Sequence, residues 1–126
     1  MIMADPILVI EDDKFISEKL REKFTDEGYL VCGADDGAMA LLMTRAQQFS
    51  LIILDLIMPV MDGFDFLRKF RESDKKTPVI MYSHFFHDKS REMAKELGAD
   101  SFLIKSGSFD EIINLVNVKL GKHHDL

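Results

Sequence analysis

A doubly wound α/β fold, a parallel β-sheet with helices on both faces, is the architecture this 126-residue chain predicts. Three observations carry it. Short apolar runs alternate with amphipathic segments five times along the chain. The runs are continuous rather than alternating, the habit of strands buried on both faces. An acidic residue, Asp55, then stands at the end of the run Leu51-Ile52-Ile53-Leu54, where an open α/β sheet places its ligand site.

The elements follow in order. Ile7–Ile10 is the first strand; Ile16, Leu20 and Phe24 then recur every four residues and predict a helix. Gly28 falls just past it, where a left-handed residue is wanted. Tyr29–Cys32 reads as the second strand, and Met39, Leu42, Met43 and Ala46 fall at i, i+3, i+4 and i+7 of a second helix. The third strand, Leu51–Leu54, leads through Met58-Pro59 and Asp62-Gly63, which are turn chemistry, into a helix marked by Phe66, Leu67 and Phe70. Val79–Tyr82 is the fourth strand, and Met93, Ala94 and Leu97 mark a helix closed by Gly98. Ser101–Ile104 is the fifth strand. Phe109, Ile112, Ile113, Val116 and Leu120 mark the last helix, with Ser108 and Glu111 as a capping box and Gly121 past its end. A single domain is expected over residues 1–126, its core about 7–120 and its tail 122–126 frayed. The start at Met1 leans toward a stand-alone chain.

Composition narrows the function classes. The chain is 47% hydrophobic and 30% charged, a globular balance rather than a disordered one. Its net charge of −6 argues against direct contact with nucleic acid. No apolar run is long enough to cross a bilayer, and the acidic start with Asp5 and Pro6 argues against a secretory signal, so no membrane partner is expected. One cysteine, Cys32, excludes an internal disulfide and fits a reducing cytoplasm; its apolar surroundings predict a buried, inert thiol.

In such a sheet the C-terminal ends of the strands converge on one crevice. Glu11, Asp12 and Asp13 end the first strand, Asp55 the third, Ser83 the fourth and Lys105 the fifth. Carboxylates this close repel and need a cation, and hard oxygen ligands with room for water suit Mg²⁺. A lysine and a hydroxyl across the crevice suit a tetrahedral dianion. The chemistry implied is phosphoryl transfer onto Asp55.

Four pieces in order make the chain resemble the receiver domain of two-component response regulators over nearly its whole length. They are Glu11-Asp12-Asp13 after Leu8-Val9-Ile10, Asp55 through Gly63, Pro78 through Ser83, and Gly98 through Lys105. The resemblance implies a flavodoxin-like (βα)5 fold with strand order 2-1-3-4-5. It implies that Asp55 takes a phosphoryl group from a histidine kinase or a histidine phosphotransfer protein, so the chain is not a separate enzyme. It implies Asp12, Asp55 and the Ile57 carbonyl as Mg²⁺ ligands, Glu11 acting through water, and Mn²⁺ as a substitute ion. Lys105 would hold the phosphoryl group, while Ser83 and Phe102 would form the switch. A downstream protein target would read the face made by the fourth helix, fifth strand and fifth helix.

The chain departs from the family pattern in two places. Ser106 follows Lys105 where the family has a proline after a cis bond, and a trans bond is expected here because a cis bond before a non-proline residue costs about 2.5–4 kcal/mol. His84 stands where the family has a small residue, so it could shield the phosphoryl group. Ile57 and Phe85 flank the line of water attack and are apolar, which predicts slow hydrolysis of the phosphorylated form. Phe102 lacks the hydroxyl of the tyrosine often found there, which predicts a weaker bias between its two orientations.

Blander readings stand beside these. Glu11–Asp13 could be a solvated helix start, and a zinc site at His84 and His87 would need His123 and His124. Phe85 and Phe86 read as cover for the sheet edge, Asp100 as a turn residue, and Met39, Met43, Met58 and Met61 as filling. A phosphoaspartyl hydrolase needs a second acid two residues after Asp55, and that position is Ile57. A flavodoxin-like cofactor binder would place a phosphate where Glu11, Asp12 and Asp13 repel it. The remaining alternatives are a docking receiver that works without phosphorylation and a receiver excised from a larger regulator or hybrid kinase.

Overall fold

The computed structural model describes residues 4–84 and 87–122. Strands and helices alternate as expected: β1 (Ile7–Ile10), α1 (Lys14–Asp26), β2 (Val31–Ala34), α2 (Gly37–Ala46), β3 (Leu51–Leu54), α3 (Gly63–Ser73), β4 (Val79–Ser83), α4 (Asp88–Glu96), β5 (Ser101–Ile104) and α5 (Asp110–Lys119). The five strands form one sheet in the order β2-β1-β3-β4-β5, every neighbouring pair parallel.

Because side chains alternate across a strand, the sheet divides the core in two. Leu8, Ile10, Ile52, Leu54, Val79 and Met81 face one way and pack with Leu41, Phe66, Leu67, Phe70 and Ala94. Ile7, Val9, Leu51, Ile53, Ile80 and Tyr82 face the other and pack with Leu20, Phe24, Ile112 and Val116. Burying each large apolar side chain contributes about 1.5–3 kcal/mol. Three of the helices begin on an aspartate that accepts an amide from the first turn: Asp13 from Ile16, Asp36 from Met39 and Asp62 from Asp65.

The register sets the site. Ile7↔Leu51 through Ile10↔Leu54 pair β1 with β3, so Glu11 and Asp55 are both the first residue past a paired position. The Asp55 N–H donates to the Ile10 carbonyl at 3.0 Å and the Glu11 N–H to Ala34 at 3.1 Å. Ser83 pairs with Ile104, and the Lys105 N–H donates to the Ser83 carbonyl at 2.8 Å.

Several expectations are corrected. The second strand is Val31–Ala34, not Tyr29–Cys32, because Tyr29 is drawn toward helices: its N–H donates to Phe24 and its hydroxyl to Asn117 Oδ1 at 2.5 Å. The inward face of α2 is Gly37, Ala40 and Leu41, while Met39 and Leu42 are 43% and 67% exposed. This helix is apolar nearly all round, so periodicity could not choose its side. Met58 is buried as filling, whereas Met39 is not.

The capping box does not form. The last helix starts at Asp110, and the Ser108 hydroxyl accepts the Asp110 N–H at 3.2 Å. Cys32 is half-buried, its sulfur beside Gln47 Nε2 at 3.8 Å, rather than sealed. Gly28, Gly98 and Gly121 take the positive φ expected past α1, α4 and α5. Lys122 is tied through its N–H to the Asn117 carbonyl at 2.8 Å, and the rest of the expected tail, 123–126, lies outside the described residues.

Candidate phosphoacceptor site

The acidic cluster of the sequence divides in two. Asp13 caps α1, accepting the Ile16 N–H at 3.1 Å, so the helix-start reading is right for this residue. Glu11, Asp12 and Asp55 instead come together, one oxygen of each lying within 4.8 Å of the others. Glu11 is 3% exposed and Asp55 8%, while Asp12 is exposed at the rim. The Asp13 N–H donates to Glu11 Oε2 at 3.2 Å and the Ile57 N–H to Asp55 Oδ1 at 3.4 Å, which fixes the two buried carboxylates.

Lys105 completes the group. Its side chain is 6% exposed; its ammonium bonds directly to Glu11 Oε1 and stands 3.5 Å from Asp55 Oδ1. The Lys105–Ser106 peptide is trans, since no described peptide bond is cis, and the ammonium nonetheless reaches the carboxylates. Burial pushes the Glu11 carboxyl above its usual value; the Lys105 bond pulls the other way and the Asp55 carboxylate adds to the rise. Asp12 is raised for the same first reason, burial, and then by its bond with Glu11. Three carboxylates against one lysine leave an excess of negative charge. Hard oxygen donors in that state fit a divalent cation such as Mg²⁺.

Glu11, Asp12, Asp13, Ile16, Asp55, Ile57, Ser83, His84 and Lys105 line an open cleft of about 240 Å³. Ser83, 1% exposed, and exposed His84 lie on its wall, and Ile57, 51% exposed, stands at its mouth. A larger cleft of about 350 Å³ between α2 and α3 opens near Thr77 at the start of β4, away from these carboxylates, so size is no guide to the chemistry. Phe102 is half-buried against the core, with the Arg91 guanidinium 5.6 Å from its ring. Among the described residues the only grouping of metal-binding side chains is Glu11, Asp12 and Asp55; His84 and His87 are both exposed. Phe85, Phe86, His123 and His124 lie outside the described residues. Asp100 is the turn residue expected, its Oδ2 accepting from the Val79 N–H at 2.8 Å and from Arg71 at 3.2 Å.

Two contributors escaped the sequence reading. A Cβ on Gly63 would stand 2.5 Å from the Asp55 carbonyl, so this glycine permits α3 to start against the site. The Tyr82 ring lies under Lys105, its centroid 5.8 Å from the ammonium. An aromatic residue in the otherwise aliphatic run Val79-Ile80-Met81 was the signal.

Residues 7–117 match the response regulator receiver domain family. The chain belongs to that family. HprR, a transcriptional regulatory protein of Escherichia coli K12, is 33% identical over 120 residues, covering 95% of this receiver domain but 53% of HprR. The E. coli transcriptional regulatory protein CusR is 32% identical over 114 residues, which is 50% of its length. The chain thus spans about half the length of these curated relatives. The receiver domain of Francisella response regulator 1452 superposes with a TM-score of 0.87 at 31% identity, covering 94% of this chain and 98% of that one. TrrA of Thermotoga maritima, in complex with Mg²⁺–BeF, superposes at 0.84 with 30% identity, covering 91% and 98%.

The family is one of signalling domains rather than separate enzymes. HprR and CusR are named as transcriptional regulators, so the expectation of no nucleic-acid contact, drawn from the charge of these residues, finds no support. No described helix is long and apolar enough to cross a membrane.

Proposed function

We propose that Asp55 is the phosphoacceptor of a two-component or phosphorelay system, receiving its phosphoryl group from the phosphohistidine of a histidine kinase or a histidine phosphotransfer protein. One observation carries the reading: two buried carboxylates and one exposed one within 4.8 Å of each other, at strand ends, against a buried lysine. The Asp55 oxygen would attack phosphorus as the bond to the histidine nitrogen breaks; with the donor ring protonated on its other nitrogen, the electron pair of that bond leaves with a neutral imidazole.

Asp12 and Asp55, the Ile57 carbonyl, and Glu11 through water would hold Mg²⁺, or Mn²⁺ in its place. Bound there, the ion supplies positive charge to the carboxylates and the transferring oxygens. Lys105 would exchange part of its bond with Glu11 for a phosphoryl oxygen, and Ser83 would donate its hydroxyl to another. The acquired charge, about −1.5 to −2, would draw Ser83 forward and let Phe102 turn inward from beneath Arg91. A partner protein would read the altered face of α4, β5 and α5. The single domain over 1–126 and a cytoplasmic setting, in which Cys32 stays reduced, belong to the same proposal.

The test is intact mass after incubation with Mg²⁺ and a histidine-phosphorylated donor protein, for wild type and Asp55→Asn. A single phosphoryl adduct on wild type, absent from the variant and abolished by a chelator, is expected. A folded wild type that takes no adduct from several donors would overturn the reading in favour of docking without phosphorylation.

A further inference from the structure

The loop beyond Lys105 gives its side chain little restraint. Ser106, Gly107 and Ser108 are exposed, and a Cβ on Gly107 would meet nothing within 4 Å. Yet the Lys105 side chain is 6% exposed and aimed at Glu11 and Asp55. The ammonium is held from the front by its bond to Glu11, and a second contact lies beneath it. Tyr82, one residue before Ser83 on β4, is 3% exposed and packs in the α1–α5 half of the core. Its ring forms the floor under the ammonium, 5.8 Å from the centroid, and lines a cavity of about 320 Å³ with Phe15, Ile16, Lys105 and Phe109. The face of an aromatic ring carries negative potential and attracts an ammonium, the more so away from water. An aliphatic residue here would still bury apolar surface but would not attract the cation.

We propose that Tyr82 is a positioning residue for Lys105. Its ring face holds the ammonium where it meets Glu11 before phosphorylation and the phosphoryl oxygens afterwards, taking the place of a rigid loop. The inference rests on the phosphoacceptor reading of Asp55 and deepens it. A merely structural Tyr82 would affect stability alone.

Two readouts separate these. In the whole chain with ¹³C-labelled lysine, the Lys105 ε-methylene protons are expected shifted upfield by the ring in wild type and in Tyr82→Phe, and unshifted in Tyr82→Leu. With Mg²⁺ and a histidine-phosphorylated donor, the adduct is expected to form about five- to tenfold more slowly on Tyr82→Leu than on wild type. Tyr82→Phe restores the rate, and in a Lys105→Met background Tyr82→Leu adds no further slowing. An unshifted Lys105 methylene in wild type overturns the proposal without any variant, so a Tyr82→Leu that does not fold leaves it testable. Equal slowing with and without Lys105, or no slowing while Lys105→Met is slow, overturns it as well. A wild type that takes no adduct at all would sink the phosphoacceptor reading instead and leave the ring-shift result standing.

Discussion

Lys105 Nζ stands 3.5 Å from Asp55 Oδ1 while bonding directly to Glu11, so one buried ammonium serves two carboxylates that a divalent cation would also occupy. A lysine and a metal at this site are therefore expected to compete before phosphorylation and to cooperate after it. Lys105→Met is expected to bind Mg²⁺ more tightly by calorimetry, since a competing charge is gone. The same variant is expected to form the phosphoryl adduct about 10²-fold more slowly, the usual cost of removing one donor from a developing anion. Weaker Mg²⁺ binding by the variant would contradict the competition.

Gly63 lies against the backbone of Asp55 and Leu56, just past the end of β3, with no room for a side chain. Its added Cβ would lie 2.5 Å from the Asp55 carbonyl oxygen and 2.9 Å from the Leu56 Cα, both backbone atoms. Gly63→Ala is expected to lose about 1–3 kcal/mol in urea unfolding and to weaken Mg²⁺ binding by displacing Asp55. A stable variant with unchanged Mg²⁺ affinity would show that the loop yields freely.

Val60 adopts φ 70°, with the Met61 N–H returning to the Pro59 carbonyl at 2.7 Å, and its side chain is 87% exposed. A β-branched residue in this region is strained, and no packing here compensates. Val60→Gly is expected to raise the midpoint of urea unfolding, by about 0.5–1 kcal/mol in stability after the entropy cost of glycine. A lower midpoint would mean that glycine's entropy outweighs the strain.

Asp74 ties the end of α3 to the start of β4. Burial alone would raise its carboxyl, but the Thr77 hydroxyl and amide, the Lys76 amide and Arg71 hold it below the ordinary 3.8. A carboxyl depressed in the folded state adds stability above its unfolded value and loses it as pH falls through the folded one. Asp74→Ala is expected to cost about 1–3 kcal/mol at neutral pH. The gap from wild type should hold down to 3.8 and close below it. A gap that widens in acid would reverse the sign.

Phosphorylated Asp55 is expected to persist for minutes or longer, because Ile57 at the cleft mouth is apolar and presents no group to activate water. Decay of the adduct mass after removal of the donor measures this directly. Ile57→Asn should shorten the lifetime by offering a polar side chain to the attacking water. Decay of wild type within seconds would refute the expectation.

The legible parts of this protein were those governed by short-range rules. Continuous apolar runs marked β1, β3 and β5 at their observed bounds, and Phe66, Leu67 and Phe70 marked the buried stripe of α3, because polar residues flank that stripe. Where the pattern was uniform, as along Ala38–Met43, the inward side of α2 was open, and packing against Met61 and the sheet chose it. Tyr29 has the local pattern of a strand residue, and its partner in the fold, Asn117, is distant in sequence.

The same division holds at the site. Sequence by itself determined the strand alternation, the acids at the strand ends, and the identity of Asp55, Ser83 and Lys105 as candidates, since strand ends are local features. Tertiary structure alone decided which acids meet: Asp13 turned to cap α1, while Glu11 and Asp55 were brought level by the β1–β3 register. It also decided that Lys105 reaches them past a trans bond, over the ring of Tyr82. Those outcomes depend on distances between residues as many as 94 positions apart, and no periodicity within one segment encodes such a distance.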